Sequence, residues 1–111
     1  MIKPLGPYTP VVRRGEWVVT SGQIGPSGGD VAAQTTEALG RIRELLESEG
    51  ASLADIVKTT VFLTDMADFE TMNEAYVAAM GEHRPARTTV AVAALPLGAA
   101  VEVEAWARVG E

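Results

Sequence analysis

The sequence predicts a single domain over residues 1–111, of the α+β or α/β class, with two helices on one face of one β-sheet. Three observations lead to this prediction. The length of 111 residues suits one domain with a modest core. Short stretches in which β-branched residues alternate with other residues predict strands, and two longer stretches with helical spacing of apolar residues predict amphipathic helices. Strands that alternate with such helices pack as two layers.

Residues 8–13 and 16–21 predict the first two strands, because each is rich in β-branched and aromatic residues. Pro10 cannot donate a hydrogen bond to a neighbouring strand, so the first strand is expected at an edge of the sheet. Alternation places Trp17 and Val19 on the same face of the second strand.

The first helix is predicted from residue 31 to about residue 49. Asp30 is a natural N-cap, and Gly50 is the expected stop. The residues that recur at helical spacing, and that are expected to be buried, are Val31, Thr35, Leu39, Ile42, Leu45 and Leu46.

Residues 55–63 carry the strongest strand pattern of the chain. Alternation predicts that Val57, Thr59, Val61 and Leu63 share one face of this strand.

The second helix is predicted over residues 69–80, with Asp68 as its N-cap and Gly81 as its stop. Asn73 lies at the edge of its apolar stripe, and His83 is expected in an exposed tail. The side chains expected to point inward are Phe69, Met72, Tyr76, Val77 and Met80.

The last two strands, residues 86–93 and 100–109, carry charges that are unusual in a sheet. Arg87 lies in the first of them, and Glu102 and Glu104 share one face of the second. A guanidinium can bind a carboxylate through two parallel hydrogen bonds, and a carboxylate can orient water. We therefore regard these two strands as the candidate functional element.

Arg87 and Glu102 cannot meet if these strands form a simple hairpin about Leu97. Arg87 would then lie opposite Ala107, and five strand positions separate Ala107 from Glu102, a distance of about 17 Å. The two residues can cooperate only if another strand lies between theirs or if subunits share the site. Spacing alone favours a simpler interpretation, in which both residues form ordinary surface or interface ion pairs.

Composition excludes several classes of site. The chain has no cysteine and a single histidine, so thiol nucleophiles, thiolate metal sites and histidine-rich metal sites are not expected. The net charge of −6 argues against nucleic acid as the main partner, since phosphate binding needs a basic face. Neither a membrane-spanning run nor a signal-peptide pattern is present, and we expect a cytoplasmic protein.

A sheet covered on one face leaves a second face to be buried. That face is predicted to contain Trp17, Val19, Phe62 and Trp106 among polar residues. Exposed apolar patches of this kind usually mark a partner surface, so the chain is expected to associate with itself.

The chain resembles the RidA (YjgF-type) family of enamine and imine deaminases. Six pieces in the same order and spacing carry the resemblance: Gly6-Pro7-Tyr8, residues 20–24, residues 55–62, Asp65 with Phe69 and Met72-Asn73, Pro85-Ala86-Arg87, and residues 101–105. The resemblance implies a chorismate-mutase-like α+β fold with a single mixed sheet, in which the last strand lies between the second and the third. It also implies a homotrimer with active sites between subunits.

The resemblance also implies roles for individual residues. Arg87 would bind the carboxylate of the substrate, and Glu102 would position the attacking water. Thr89 stands where the family commonly has cysteine, and its backbone N–H would support the same carboxylate. The other positions that would line the pocket are Tyr8, Ser21, Gly22 and Asn73.

Two further expectations concern the environment of these residues. Because one strand separates Arg87 from Glu102, about 10 Å would lie between them, enough for a small substrate and a water. Arg87 would then tend to keep Glu102 ionised. Arg84 occupies a position where the family commonly has an aromatic residue, and the tract at residues 82–85 is shorter than usual.

The implied reaction is hydrolysis of reactive 2-enamines or 2-imines, of the 2-aminoacrylate or 2-iminobutyrate type, to 2-keto acids and ammonia. A 2-imino acid is already electrophilic, so no metal or cofactor is expected to be needed. Two alternatives stay open. The chain could act on RNA, as an endoribonuclease or translation inhibitor, or it could bind small ligands without turnover.

Overall fold

Alternating β-branched residues form five strands, and the two amphipathic stretches form helices. The computed structural model describes residues 2–110. The strands are β1 (Val11–Arg14), β2 (Trp17–Thr20), β3 (Ile56–Leu63), β4 (Ala86–Ala91) and β5 (Val101–Arg108), and the helices are α1 (Val31–Ser48) and α2 (Phe69–Met80).

The five strands form one mixed sheet in the order β1-β2-β5-β3-β4. β3 and β4 are parallel and are joined through α2, whereas the other neighbouring pairs are antiparallel. The last strand therefore lies between β2 and β3, as the family resemblance implied, and the α+β class with a single mixed sheet is confirmed. Hereafter the side covered by the helices is called the helix face, and the other side is called the open face.

The core lies between the helices and the sheet. In α1 the stripe predicted from helical spacing is confirmed, except that Val31 is only half-buried. The Asp30 carboxylate caps the helix by accepting a hydrogen bond of 2.8 Å from the backbone N–H of Ala33. The α1 residues with at most 1% of their surface exposed are Thr35, Ala38, Leu39, Ile42, Leu45 and Leu46.

Two strand predictions need correction. The first strand begins at Val11, not at residue 8, and the carbonyl of Pro10 accepts a hydrogen bond from Ser21 just before the strand begins. In β3 the prediction for Val57 was wrong, because 46% of its surface is exposed while Ile56 is buried. A register shift between Ile56 and Lys58 inserts an extra residue there, and such a bulge reverses the alternation.

Helix α2 has the predicted bounds, but three of its details differ. Val77 is 45% exposed and does not point inward. Asp68 occupies the N-cap position, but its side chain accepts no capping hydrogen bond. His83 is half-buried, and its Nε2 lies 2.7 Å from the carbonyl oxygen of Ile56, so the prediction of an exposed tail was wrong.

The open face carries the apolar patch expected from the sequence. Val19 lies opposite Trp106, and the rings of Trp17 and Trp106 meet edge to face with centroids 6.3 Å apart. About 40% or more of the surface of each tryptophan is exposed. Phe62 lies on the same face, paired with Glu102 on one side and Val90 on the other. Within residues 2–110, no helix has both the length and the apolar character needed to cross a membrane.

Candidate active site

Arg87 points to the helix face, where α2 surrounds its guanidinium. β4 pairs with β3 so that Arg87 lies opposite Thr59, a buried core residue. The Nη2 group of Arg87 donates a hydrogen bond of 2.7 Å to Oδ1 of Asn73. Its Cζ atom lies 4.9 Å from the ring centroid of Tyr76 and 5.6 Å from that of Phe69. The guanidinium is thus fixed by one amide and two aromatic rings.

Buried hydroxyl groups support this arrangement. The Tyr76 hydroxyl lies 2.7 Å from Oγ1 of Thr59, and this buried hydrogen bond holds the ring that underlies the guanidinium. Thr89 lies two residues after Arg87 on the same face, and its Oγ1 is buried without a hydrogen-bond partner within residues 2–110. A buried hydroxyl without a partner is unusual, and here it accompanies the candidate site.

An open groove of about 370 Å³ lies beside Arg87. Asn73, Tyr76 and Arg87 form one part of its lining, and Val77, Arg84 and Pro85 form the rest. The groove also explains the exposure of Val77, since that side chain forms part of its wall.

Glu102 lies at the start of β5 and points to the open face. It is half-buried, and burial raises the pKa of its carboxyl group above the usual value, with a further contribution from the charge of Glu104. The carboxylate lines a small cleft of about 30 Å³, together with Tyr8, Gly22 and Gln23 among other residues. A cavity needs at least about 10–15 Å³ to hold one water, so this cleft is large enough for one.

Gly22 lies directly against the Glu102 side chain, so a larger residue there would displace the carboxylate. A Cβ atom built on Gly22 would lie 2.6 Å from Oε2 of Glu102, closer than any ordinary van der Waals contact. Ser21, which precedes it, donates a hydrogen bond of 2.7 Å from its hydroxyl to the carbonyl of Thr9. Tyr8 is 45% exposed, and its hydroxyl accepts a hydrogen bond of 3.2 Å from the backbone N–H of Leu5.

The predicted site residues thus form two separate groups within one chain. The arginine half-site consists of Asn73, Arg87 and Thr89, and the glutamate half-site consists of Tyr8, Ser21, Gly22 and Glu102. Arg87 pairs with Thr59, which faces the helices, so Arg87 also lies on the helix face. Glu102 pairs with Phe62, which faces away from the helices, so Glu102 lies on the open face. The Cα atoms of Arg87 and Glu102 are about 14 Å apart, because their strands are two strand spacings apart across the sheet and the residues are offset by three positions along it.

The expectation of a 10 Å gap that a substrate could fill within one chain was therefore wrong. An intervening strand is present, but the sheet itself separates the two side chains. The expected effect of Arg87 on Glu102 was also wrong within one chain, because the pKa of Glu102 is raised and not lowered. Of the two ways in which Arg87 and Glu102 could cooperate, only a site shared between subunits remains.

Neither residue forms an ordinary ion pair within the chain. Across residues 2–110 the single ion pair within 4 Å joins Arg108 and Glu16, with an N–O distance of 2.7 Å. The alternative of an intrachain ion pair for Arg87 or Glu102 is therefore excluded for this part of the chain. In the same residues, no three His, Cys, Asp or Glu side chains are grouped so that they could hold a metal ion.

Four residues near the half-sites were not assigned to the site from the sequence. Phe69 and Tyr76 were predicted as core residues, yet their rings also lie against the guanidinium of Arg87. Gln23 exchanges two backbone hydrogen bonds with Val103, and its Oε1 accepts a hydrogen bond of 3.1 Å from Nε of Arg41. For Phe69 and Tyr76, the only signal in the sequence is helical spacing: Tyr76 lies three residues after Asn73, so both project from the same side of the helix. We find no such signal for Gln23 and Arg41.

Comparisons with known proteins agree with this fold. A family model described as endoribonuclease L-PSP matches residues 1–109. A protein of Escherichia coli K12 named 2-iminobutanoate/2-iminopropanoate deaminase is 43% identical over 112 residues, which cover 93% of this chain and 88% of that protein.

Solved structures of similar sequence have the same fold. RidA from an Antarctic Psychrobacter species superposes with a TM-score of 0.92 at 39% identity, over 96% of this chain and 92% of that chain. Escherichia coli TdcF, solved with bound serine, superposes with a TM-score of 0.91 at 39% identity, over 96% of this chain and 91% of that chain.

Proposed function

Since this chain belongs to the RidA (YjgF-type) family, we propose that it hydrolyses reactive 2-imino and 2-enamino acids to 2-keto acids and ammonia. One observation carries the proposal. Arg87 presents a guanidinium that Asn73 and two aromatic rings orient, in a groove where no carboxylate of residues 2–110 lies within 4 Å of it. Such a group is suited to bind the carboxylate of a small acid through two parallel hydrogen bonds.

Glu102 supplies the second requirement, an oriented water. Its carboxylate faces a cleft large enough for one water, and its raised pKa makes it a better base than an exposed glutamate. In the proposed step the water oxygen attacks C2 of the protonated imine while one of its protons passes to Glu102. The resulting carbinolamine accepts that proton on nitrogen. The Glu102 carboxylate then removes the proton of the carbinolamine hydroxyl as the C–N bond breaks, which gives the 2-keto acid and ammonia, and ammonia carries that proton away as ammonium.

The two half-sites are proposed to meet between subunits of a homotrimer. Arg87 and Glu102 lie on opposite faces of one sheet, so a single substrate can reach both only if they come from different chains. The apolar open face, which carries Trp17 and Trp106, is a surface suited to such self-association. The arginine half-site of one subunit would then lie against the glutamate half-site of its neighbour.

An imine-hydrolysis assay tests the activity. An amino-acid oxidase generates the 2-imino acid in place, and the rate of its hydrolysis above the spontaneous rate is measured. Arg87→Ala and Glu102→Gln are each expected to lower this rate by about 100-fold or more, as is typical when a binding charge or a catalytic base is removed. Arg43→Ala and Glu47→Gln, which change the same residue types at exposed positions of α1, serve as matched controls.

The assay also separates the alternatives. Wild-type-like rates in Arg87→Ala or Glu102→Gln would overturn the assigned roles. Binding of 2-keto acids without any imine hydrolysis would support a module that binds ligands without turnover.

Cleavage of RNA is the second candidate, because the matching family model is described as an endoribonuclease. The net charge of −6 opposes it, since binding to phosphates depends on lysine and arginine contacts. Salt-dependent binding of single-stranded RNA by the pure protein would favour this candidate, and its absence would exclude it.

A further inference from the structure

A second arginine lines the same groove as Arg87. Arg84 lies in the short connection between α2 and β4, and it faces the groove together with Asn73, Tyr76 and Pro85. Arg84 is exposed, and the groove lining contains no aspartate or glutamate. In a chain with a net charge of −6, two arginines in one groove without an acid form a local site for negative charge.

The guanidinium of Arg84 is held in place by the end of α2. Its Nη1 group donates hydrogen bonds to the carbonyl of Gly81, at 2.5 Å, and to the carbonyl of His83, at 3.0 Å. Gly81 ends the helix in a backbone conformation with a φ of +68°, and Pro85 stiffens the chain directly after Arg84. Nη2 and Nε of Arg84 make no hydrogen bond within residues 2–110 and are free to bind an anion.

The charges of the two arginines have different roles in this geometry. Arg87 is half-buried and oriented by Asn73, so it suits the carboxylate that every 2-imino acid carries. Arg84 lies three residues away, about 10 Å along an extended chain, at the outer part of the groove. A substrate that binds Arg87 by its carboxylate and extends along the groove would bring its side chain to Arg84.

We propose that Arg84 selects 2-imino acids with an acidic side chain, so that the preferred substrates are 2-imino dicarboxylates such as the imines of aspartate and glutamate. This inference rests on the proposed deaminase function and adds the substrate class. The second carboxylate binds the free donors of Arg84 while the first binds Arg87. Monocarboxylic imines such as 2-iminopropanoate use Arg87 alone.

The test compares two substrates in wild type and in Arg84 variants. D-Aspartate oxidase generates the dicarboxylic imine from D-aspartate, and D-amino-acid oxidase generates 2-iminopropanoate from D-alanine. Arg84→Gln is expected to lower kcat/KM for the dicarboxylic imine by about 10- to 100-fold, as for the loss of a charged hydrogen bond. The value for 2-iminopropanoate should change by less than about threefold, because an exposed charge acts weakly at that distance.

Further variants separate selectivity from structure. Arg84→Lys keeps the charge and should retain part of the preference for the dicarboxylic imine, whereas a role limited to capping α2 would lower thermal stability without moving the ratio between substrates. Arg43→Ala, which removes an exposed arginine outside this groove, should leave the ratio unchanged.

The outcomes distinguish this inference from the proposed function. Hydrolysis of neither imine by wild type would overturn the deaminase function itself, and the inference with it. Hydrolysis of 2-iminopropanoate, with a substrate ratio that is the same in wild type and Arg84→Gln, would overturn the role of Arg84 and leave the deaminase function intact. A ratio that falls in Arg84→Gln and partly recovers in Arg84→Lys would support the inference.

Discussion

Chains that carry Arg87→Ala, assembled together with chains that carry Glu102→Gln, are expected to recover about a quarter of the wild-type activity. Each variant alone should be inactive, because each lacks one group that the reaction needs. The recovery is expected because the two groups lie on opposite faces of the sheet, so a shared site draws one of them from each of two chains.

The magnitude follows from counting. In a ring of subunits, each site combines the arginine half-site of one chain with the glutamate half-site of the next. With equal amounts of the two variants and random assembly, the first chain has an intact Arg87 in about half of the sites. The second chain has an intact Glu102 in about half of those, which leaves about one site in four active. A site contained within one chain would give no recovery, since no chain has both groups.

The assay needs proof that mixed oligomers form. The variants are produced together with different affinity tags, and oligomers that carry both tags are isolated before imine hydrolysis is measured. Removal of the inactive homotrimers raises the expected active fraction from about a quarter of the sites in the whole mixture to about a third in the isolated mixed trimers. Wild type mixed with Arg87→Ala provides a control, because about half of its sites should be active under either model. Verified mixed oligomers of the two variants that show no activity would refute a shared site.

Three further predictions concern the two half-sites. Asn73→Asp should raise KM by about 10- to 100-fold, and by more than Asn73→Ala does, because a carboxylate at that position pairs with the arginine and competes with the substrate; an equal effect in steady-state kinetics would contradict this. Glu104→Gln should shift the acidic limb of the pH–rate profile to lower pH, because it removes one cause of the raised pKa of Glu102; an unchanged limb would show that burial alone sets that pKa. Tyr76→Phe should lower the free energy of unfolding by about 1–2 kcal/mol, because it leaves the buried hydroxyl of Thr59 without its partner; a denaturation cycle with Thr59→Val should show coupling between the two changes, and additive effects would argue against the bond.

The raised pKa of Glu102 also affects stability. A carboxyl group whose pKa is higher in the folded state than in the unfolded state binds more protons when folded, so stability falls as pH rises from the unfolded pKa through the folded one. Above that window the charged carboxylate destabilises the fold. Compared as dissociated single chains, Glu102→Gln should therefore unfold at a higher denaturant concentration than wild type at neutral pH, and the difference should shrink in acid.

The helices and the sheet could be predicted from periodicity because local pattern and burial agree there. α1 is an example, since Asp30 caps it and Leu39 and Ile42 are fully buried on the predicted stripe. Val57 was predicted wrongly because a bulge reverses alternation and leaves no mark in the residue types. His83 was predicted wrongly because its hydrogen bond to Ile56 joins residues 27 positions apart.

The site was harder to predict because one strand contradicts the usual hydrophobic pattern. In β4 the more apolar residue Val90 faces the open side, while Arg87 and Thr89 face the helices. Residue types alone would assign the opposite orientation. The observed orientation of β4 is stabilised by α2, because Asn73 and two aromatic rings of this helix contact the guanidinium of Arg87. The open face is itself apolar, so Val90 also has apolar neighbours there. The candidate site residues were predicted from the family resemblance, but their separation into two groups on opposite faces required the register of the strands.

The edge-to-face pair of Trp17 and Trp106 would give the proposed assembly an optical signal. These are the two tryptophans of the chain, and both lie on the open face, so the whole indole emission comes from the surface proposed to be buried between subunits. If subunits associate through this face as proposed, the indoles leave water and their emission moves to shorter wavelength. Dilution should reverse this shift as the oligomer dissociates, so fluorescence reports association without any added dye.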